Sequence, residues 1–128
     1  MTIVVSDTSP ISNLLLINQL NLLKELFGEI IIPPMVNKEV LALQSLGYNI
    51  SAYLSSNWIK IIKPLNTQLV KNLSEDLDDG EAEAIALAKE IKPDYLLIDE
   101  RKAYRRAVEL NLPVIGLMGV LLIAKTKW

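Results

Sequence analysis

Four acidic residues, Asp7, Glu39, Glu81 and Asp99, stand where a simple solvated surface does not account for them. Asp7 directly follows the run Ile3-Val4-Val5-Ser6, and Asp99 directly follows Tyr95-Leu96-Leu97-Ile98. If both runs are strands of one parallel sheet, both carboxylates reach its carboxyl edge; each also suits an N-cap or a turn. Glu39 shares a helix face with Met35, Val36, Ala42, Leu43 and Leu46. That is an apolar stripe, where a charge is costly unless it snorkels to water. Glu81 aligns with Ile85 and Ala88 on an inward face, in a first turn where a glutamate also favours the helix dipole. Glu83 aligns with Leu87 and Glu90 and reads as surface.

Four acids at one edge raise each other's pKa values unless something compensates them. Mg²⁺ or Mn²⁺ is the natural compensation, a hard cation that takes carboxylate oxygens and keeps waters for a phosphate substrate. Such an ion polarises a phosphoryl oxygen and supplies hydroxide, so phosphodiester hydrolysis needs no histidine. Thr8 and Ser9 follow Asp7 with hydroxyls suited to a metal-bound water or a phosphate oxygen, and equally to capping the turn at Pro10. Asn13 offers the same more weakly. Arg101, Lys102, Arg105 and Arg106 form the basic cluster, in two stripes of residues four apart. Such a run is a solvated face or, beside an acidic site, a contact for a nucleic-acid backbone.

Composition narrows the chemistry further. The chain has no histidine and no cysteine, which removes thiolate or imidazole zinc sites, cysteine nucleophiles and Ser-His-Asp arrangements. With 13 basic and 15 acidic residues it is formally −2, so no global field draws it to nucleic acid. At 128 residues, 51% hydrophobic and 22% charged, it is expected to form a single domain over 1–128 with a proper core. The start Met1-Thr2-Ile3-Val4-Val5-Ser6-Asp7 lacks a basic n-region and reads as no signal peptide. Leu112 to Ala124, the most apolar stretch, is too short to span a bilayer and contains Pro113, Gly116 and Gly119. A soluble protein of a reducing cytoplasm is expected.

The elements that must position these residues are read from periodicity. Strands are expected at Thr2–Ser6, Glu29–Ile32, Trp58–Ile62, Tyr95–Ile98 and Pro113–Ile115, each a short apolar run buried on both faces. Helices are expected at Ile11–Phe27 (with a possible break), Pro34–Leu46, Ile50–Ser56, Leu69–Ser74, Gly80–Ile91, Arg101–Leu110 and Met118–Lys125. Pro34 suits a first turn, and Asp78 or Asp79 an N-cap. The alternation implies a three-layer α/β/α sandwich with a mainly parallel central sheet, whose ligands lie beyond the carboxyl ends of the strands. A helix entering a strand from the opposite side begins at that edge, so Glu81 is expected to point toward Asp7 and Asp99.

These residues resemble a PIN domain. The resemblance rests on Asp7-Thr8-Ser9, Glu39 after a proline turn, Leu77-Asp78-Asp79-Gly80-Glu81-Ala82-Glu83-Ala84-Ile85 and Leu97-Ile98-Asp99-Glu100-Arg101. The closing Val114-Ile115-Gly116-Leu117-Met118-Gly119-Val120-Leu121 is similar to the PIN-like branch known as a domain of unknown function. The resemblance spans essentially the whole chain. It implies a Rossmann-like fold and a Mg²⁺- or Mn²⁺-dependent ribonuclease site, with Asp7 as first metal-binding acid, Glu39 as second acid and Asp99 as last. Asp7, Glu81 and Asp99 would hold the metal, with Glu39 as ligand or base, and Thr8, Ser9, Arg101 and Arg105 would meet RNA. Many such proteins are VapC-like toxins of toxin–antitoxin pairs and form homodimers, so an antitoxin protein and a second copy are the implied partners. The run Leu14-Leu15-Leu16-Ile17 also exceeds what one amphipathic face buries. Two departures stand out: Glu81 replaces the usual aspartate, and Ile98-Asp99-Glu100 shifts the register so that Glu100 is an alternative acid.

Other phosphate chemistries fit less well. A receiver domain needs an acidic pair ending the first strand and a lysine ending the fifth, where Gly116 follows here. A haloacid-dehalogenase-type phosphatase needs an aspartate at the position of Ser9, and no Gly-rich phosphate loop is present. The alternative of a different class is a catalytically inactive PIN-like module that binds protein or RNA partners.

Overall fold

Five short strands pair side by side in the computed structural model, which describes residues 2–127. The strands are β1 (Val4–Ser6), β2 (Ile30–Ile32), β3 (Ile59–Ile61), β4 (Tyr95–Leu97) and β5 (Val114–Ile115). The helices are α1 (Thr8–Leu16), α2 (Asn21–Phe27), α3 (Pro34–Ser45), α4 (Ser51–Leu54), α5 (Thr67–Leu73), α6 (Asp79–Ile91), α7 (Arg101–Glu109) and α8 (Leu117–Lys127). Every pairing is parallel, in the order β3-β2-β1-β4-β5. The expected α/β/α sandwich is what the chain forms.

Alternation along the strands divides the interior in two. Val4 and Leu97 join a core with Ile11, Leu14, Leu23, Val36, Val40 and Val120. Val5, Leu96 and Ile98 join another with Leu73, Ile85, Leu87, Ala103 and Ala107. The helix α6 is the most enclosed: Ala82, Ala84, Ala86 and Ala88 are fully buried, small enough to bring its backbone close to the sheet. Asp78 is its N-cap, as expected, in a full capping box with Glu81.

The order of strands fixes where a ligand can sit. The chain steps outward from β1 through β2 to β3, then returns through α5 and α6 to lay β4 against the other side of β1. The direction reverses between β1 and β4, and a crevice opens there beyond the carboxyl ends. Ser6 pairs with Leu97 across that junction, so Asp7 and Asp99 leave the sheet on the same edge.

One expectation is corrected by the structure and another is made definite. The strand β3 is not buried on both faces: Lys60 and Ile61 are exposed because it is an outer strand of the sheet. The possible break in the helix expected over Ile11–Phe27 is real: it divides into α1 and α2, with Asn18 at φ 59° in the left-handed region that asparagine tolerates. The break buries Leu14 and Leu15 and leaves Leu16 44% and Ile17 62% exposed. Among the described residues, no helix is long and apolar enough to cross a membrane.

The end of α6 yields a stability prediction. Lys92, exposed at its C-cap, sits at φ 56°. A side chain there costs about 1–2 kcal/mol, which glycine avoids. Lys92→Gly should therefore raise the urea-unfolding free energy by about 1 kcal/mol; an unchanged or lower value would show that the left-handed cap is not strained.

Candidate active site

Asp7 emerges from the end of β1, where its backbone N–H donates to the Leu97 carbonyl at 3.0 Å and ties β1 to β4. It occupies the N-cap position of α1, yet its side chain makes no capping hydrogen bond. The residue is 2% exposed, and its Oδ1 is buried with no hydrogen-bond partner. Burial pushes its carboxyl up to about 7; the Thr8 backbone lowers it in part, while the charges of Glu81, Asp78 and Glu39 raise it further. An oxygen left bare in such a place lacks compensation.

Glu39 reaches the same crevice from α3. It is half-buried at the rim of its apolar stripe: Val36 beneath it is enclosed, whereas Ala42 and Leu46 are exposed rather than inward as the pattern implied. The Thr8 hydroxyl donates to Glu39 Oε1 in a short hydrogen bond. Thr8 thus already holds a protein carboxylate. Burial raises the Glu39 pKa and the Thr8 bond lowers it; Asp78 and Asp79 raise it, and the Gly80 backbone lowers it. A Cβ on Gly80 would fall 2.2 Å from Glu39 Oε1, so only glycine leaves the carboxylate its present seat. Glu83, expected at the surface, is half-buried and accepts from the Met35 N–H at 2.9 Å, closing the start of α3.

Glu81 is both a cap and a member of the acidic group. Its N–H donates to Asp78 Oδ1 at 2.8 Å, and Asp78 N–H donates to Glu81 Oε1 at 3.1 Å. It is 6% exposed. Burial pushes its carboxyl up to about 7; the Asp78 backbone lowers it, and the charges of Asp78, Glu100 and Glu39 raise it. Asp78, read from the sequence only as a cap, is therefore a member of the same electrostatic group. The signal for it was its place one turn before Glu81.

Asp99 and Glu100 part company after β4. Asp99 turns toward the start of α8, where the Leu117 N–H donates to its Oδ1 at 2.5 Å and Asn13 Nδ2 donates to its Oδ2 at 3.5 Å. Glu100 is the exposed N-cap of α7, accepting from the Ala103 N–H at 2.8 Å. The backbone N–H groups of Ala103 and Lys102 hold its pKa below the usual value, and its charge in turn raises that of Glu81. The two neighbours thus flank the crevice from different directions, one against α8 and one beside Glu81.

The basic stripes also separate. Arg101 and Arg105, with Asp99, Tyr104 and Val108, line a cavity of about 440 Å³. Arg106 instead lies 3.6 Å from Glu109 in an ion pair along its own helix. Ser9 is half-buried in α1, and its carbonyl accepts from Ser12 Oγ. Tyr104 was not foreseen as a site residue, although its spacing from Arg101 already placed both on one helical face.

The donor chemistry suits a hard divalent cation: carboxylate oxygens, one of them buried and bare, whose mutual repulsion a cation would relieve. Among the described residues, no three acidic side chains converge closely enough to enclose an ion. Three of the acids are already bonded within the fold. Glu39 holds Thr8, Glu81 holds the Asp78 backbone and Asp99 holds the Leu117 backbone, so one oxygen of each is engaged within the fold.

Comparison with known proteins agrees with this architecture. A PilT N-terminus domain protein from the hyperthermophilic archaeon Sulfolobus solfataricus P2 has a similar structure, with a TM-score of 0.62 at 20% identity over 94% of this chain and 91% of the other. At that identity the likeness concerns the fold. No curated protein sequence matches the chain significantly. PIN domains are generally nucleases and generally use divalent metals. The family described as DUF3368, a PIN domain, matches residues 3–127, and this acid-edged parallel sheet accordingly belongs to the PIN-domain family.

Proposed function

We propose that the protein is a Mg²⁺- or Mn²⁺-dependent endoribonuclease that hydrolyses RNA phosphodiesters. The observation that carries this reading is Asp7: a buried carboxylate with a bare oxygen, repelled by Glu81, Asp78 and Glu39 at the crevice between β1 and β4. Asp7, Glu81 and Asp99 would hold the ion. When bound, it would supply Lewis-acid polarisation of a phosphoryl oxygen and acidify an attached water. Glu39 is fixed by Thr8 and Gly80 at the rim, and its raised pKa suits it to accept a proton from an attacking water. Arg101 and Arg105 would bind backbone phosphate, which concentrates the attraction for RNA on one wall of an otherwise acidic crevice. The VapC-like resemblance supports a cytoplasmic toxin paired with an antitoxin protein. The exposed Leu16 and Ile17 support self-association into a homodimer.

Thermal unfolding with and without metal tests the central claim. Mg²⁺ or Mn²⁺ at ten times its dissociation constant should stabilise the fold by about 1.4 kcal/mol, a shift of several degrees in Tm. Asp7→Asn should remove that shift, and chelation should stop RNA cleavage by the wild type. A wild-type Tm indifferent to millimolar metal, together with no cleavage of any RNA, would favour the inactive binding module. Cleavage that survives chelation would overturn the metal-dependent mechanism.

A further inference from the structure

Arg101, Tyr104, Arg105 and Val108 share one face of α7, while Ala103 and Ala107 carry the opposite, buried face. The outward face is therefore free of duty in the core. Its cavity adjoins Asp99, so whatever it holds lies next to the acidic crevice. Tyr104 is 36% exposed, and its hydroxyl donates to the Val114 carbonyl at 3.4 Å, anchoring the far end of the ring near β5. Among the described residues, neither Arg101 nor Arg105 is engaged in a salt bridge. In a chain of net charge −2, an aromatic ring sharing a cavity with two guanidinium groups is a local reversal of the prevailing field.

That combination matches the two halves of one nucleotide. Aromatic side chains stack on unpaired bases irrespective of sequence, and arginine forks match phosphate oxygens. Val108 adds an apolar wall suited to a base. A base paired within a duplex has its faces already covered by its neighbours. We propose that this cavity is a nucleotide subsite in which Tyr104 stacks on an unpaired base of single-stranded RNA while Arg101 and Arg105 hold its phosphates, presenting the adjoining phosphodiester to the crevice. The subsite rests on the ribonuclease reading above and adds to it a requirement for an unpaired base.

The test uses the full chain carrying Glu39→Gln, in Mg²⁺, so that the strand stays intact. The probes are a short single-stranded RNA containing 2-aminopurine, the same strand with an abasic residue in its place, and the corresponding duplex. Binding is followed by anisotropy, and stacking by quenching of 2-aminopurine. Tyr104→Leu should weaken binding of the base-bearing strand about 5- to 100-fold and abolish the quench, with little effect on the abasic strand. Tyr104→Phe should restore both, which separates stacking from the hydroxyl contact to Val114. The duplex should bind weakly to every form.

Equal loss on base-bearing and abasic strands, a Leu variant that binds as its parent does, or a Phe variant that behaves like Leu would each overturn the subsite. So would an effect of Tyr104→Leu confined to self-association, which would assign the cavity to a protein contact. Wild-type cleavage of RNA alongside any of these results leaves the nuclease reading standing. A wild type that neither binds nor cleaves any strand overturns both.

Discussion

Replacing Asp7 by asparagine should stabilise the metal-free protein at pH 8, although the residue is among the most enclosed in the fold. The sign follows from proton linkage. The Asp7 carboxyl is raised from 3.8 to about 7 in the folded state, chiefly by burial. Between those values the folded protein binds more protons than the unfolded chain, so wild-type stability declines as pH rises. The stability associated with the protonated form is fully present below the unfolded value and is lost by the time pH passes about 7. The span corresponds to about 4 kcal/mol, an order-of-magnitude figure for a group this buried. Glu81, also raised to about 7, adds a loss of the same sign.

Asparagine keeps the shape of the protonated side chain and does not ionise. Urea unfolding in the presence of a chelator should therefore show Asp7→Asn close to wild type near pH 4 and well above it at pH 8. Adding Mg²⁺ or Mn²⁺ should narrow the gap from the wild-type side only. An Asp7→Asn variant less stable than wild type at pH 8 would mean that the charged carboxylate is held by favourable partners and that the crevice is not frustrated.

The second large effect concerns Glu39 and the glycine beneath it. Glu39→Gln removes the proposed proton acceptor and should lower cleavage by about 10²- to 10⁴-fold, the usual scale for a positioned acid or base. Gly80→Ala is the more discriminating change. Its methyl group would lie 2.2 Å from Glu39 Oε1, the far end of a flexible side chain, so the carboxylate can swing away without disturbing the backbone. Alanine is also the better helix former near the start of α6. Gly80→Ala should consequently keep or slightly raise the Tm while cleavage drops toward that of Glu39→Gln. The double variant should be scarcely worse than Glu39→Gln alone, because both act through one group. Full activity in Gly80→Ala with a normal Tm would show that the seat of Glu39 does not matter to the reaction.

Much of the fold was legible because strand and helix signals are local. Burial on both faces of β1, β2 and β4 demands continuous apolar runs, and Pro34 and Asp78 mark helix starts through their own backbone chemistry. Asp7 and Asp99 could be placed at one edge because each ends a strand and the strands run parallel. The outer position of β3 was missed although Lys60, central in Ile59-Lys60-Ile61, hinted at exposure, because the isoleucines and Trp58 around it read as an interior strand. The break before α2 was legible as a possibility, but its position at Asn18 was not, because a continuous helical period runs across it.

The site divides along the same line. The sequence alone determined which acids stand at strand ends or on inward helix faces, because side-chain direction follows from the period of the local backbone. Only the tertiary structure decided what each acid meets. Thr8 holds Glu39 from 31 positions away, Gly80 seats the same carboxylate, Asp78 presses on Asp7, and Asp99 and Glu100 diverge although adjacent in sequence. These encounters depend on the return of the chain from β3 to lay β4 beside β1. Strand order is set by long-range packing of two cores, and no local period encodes it.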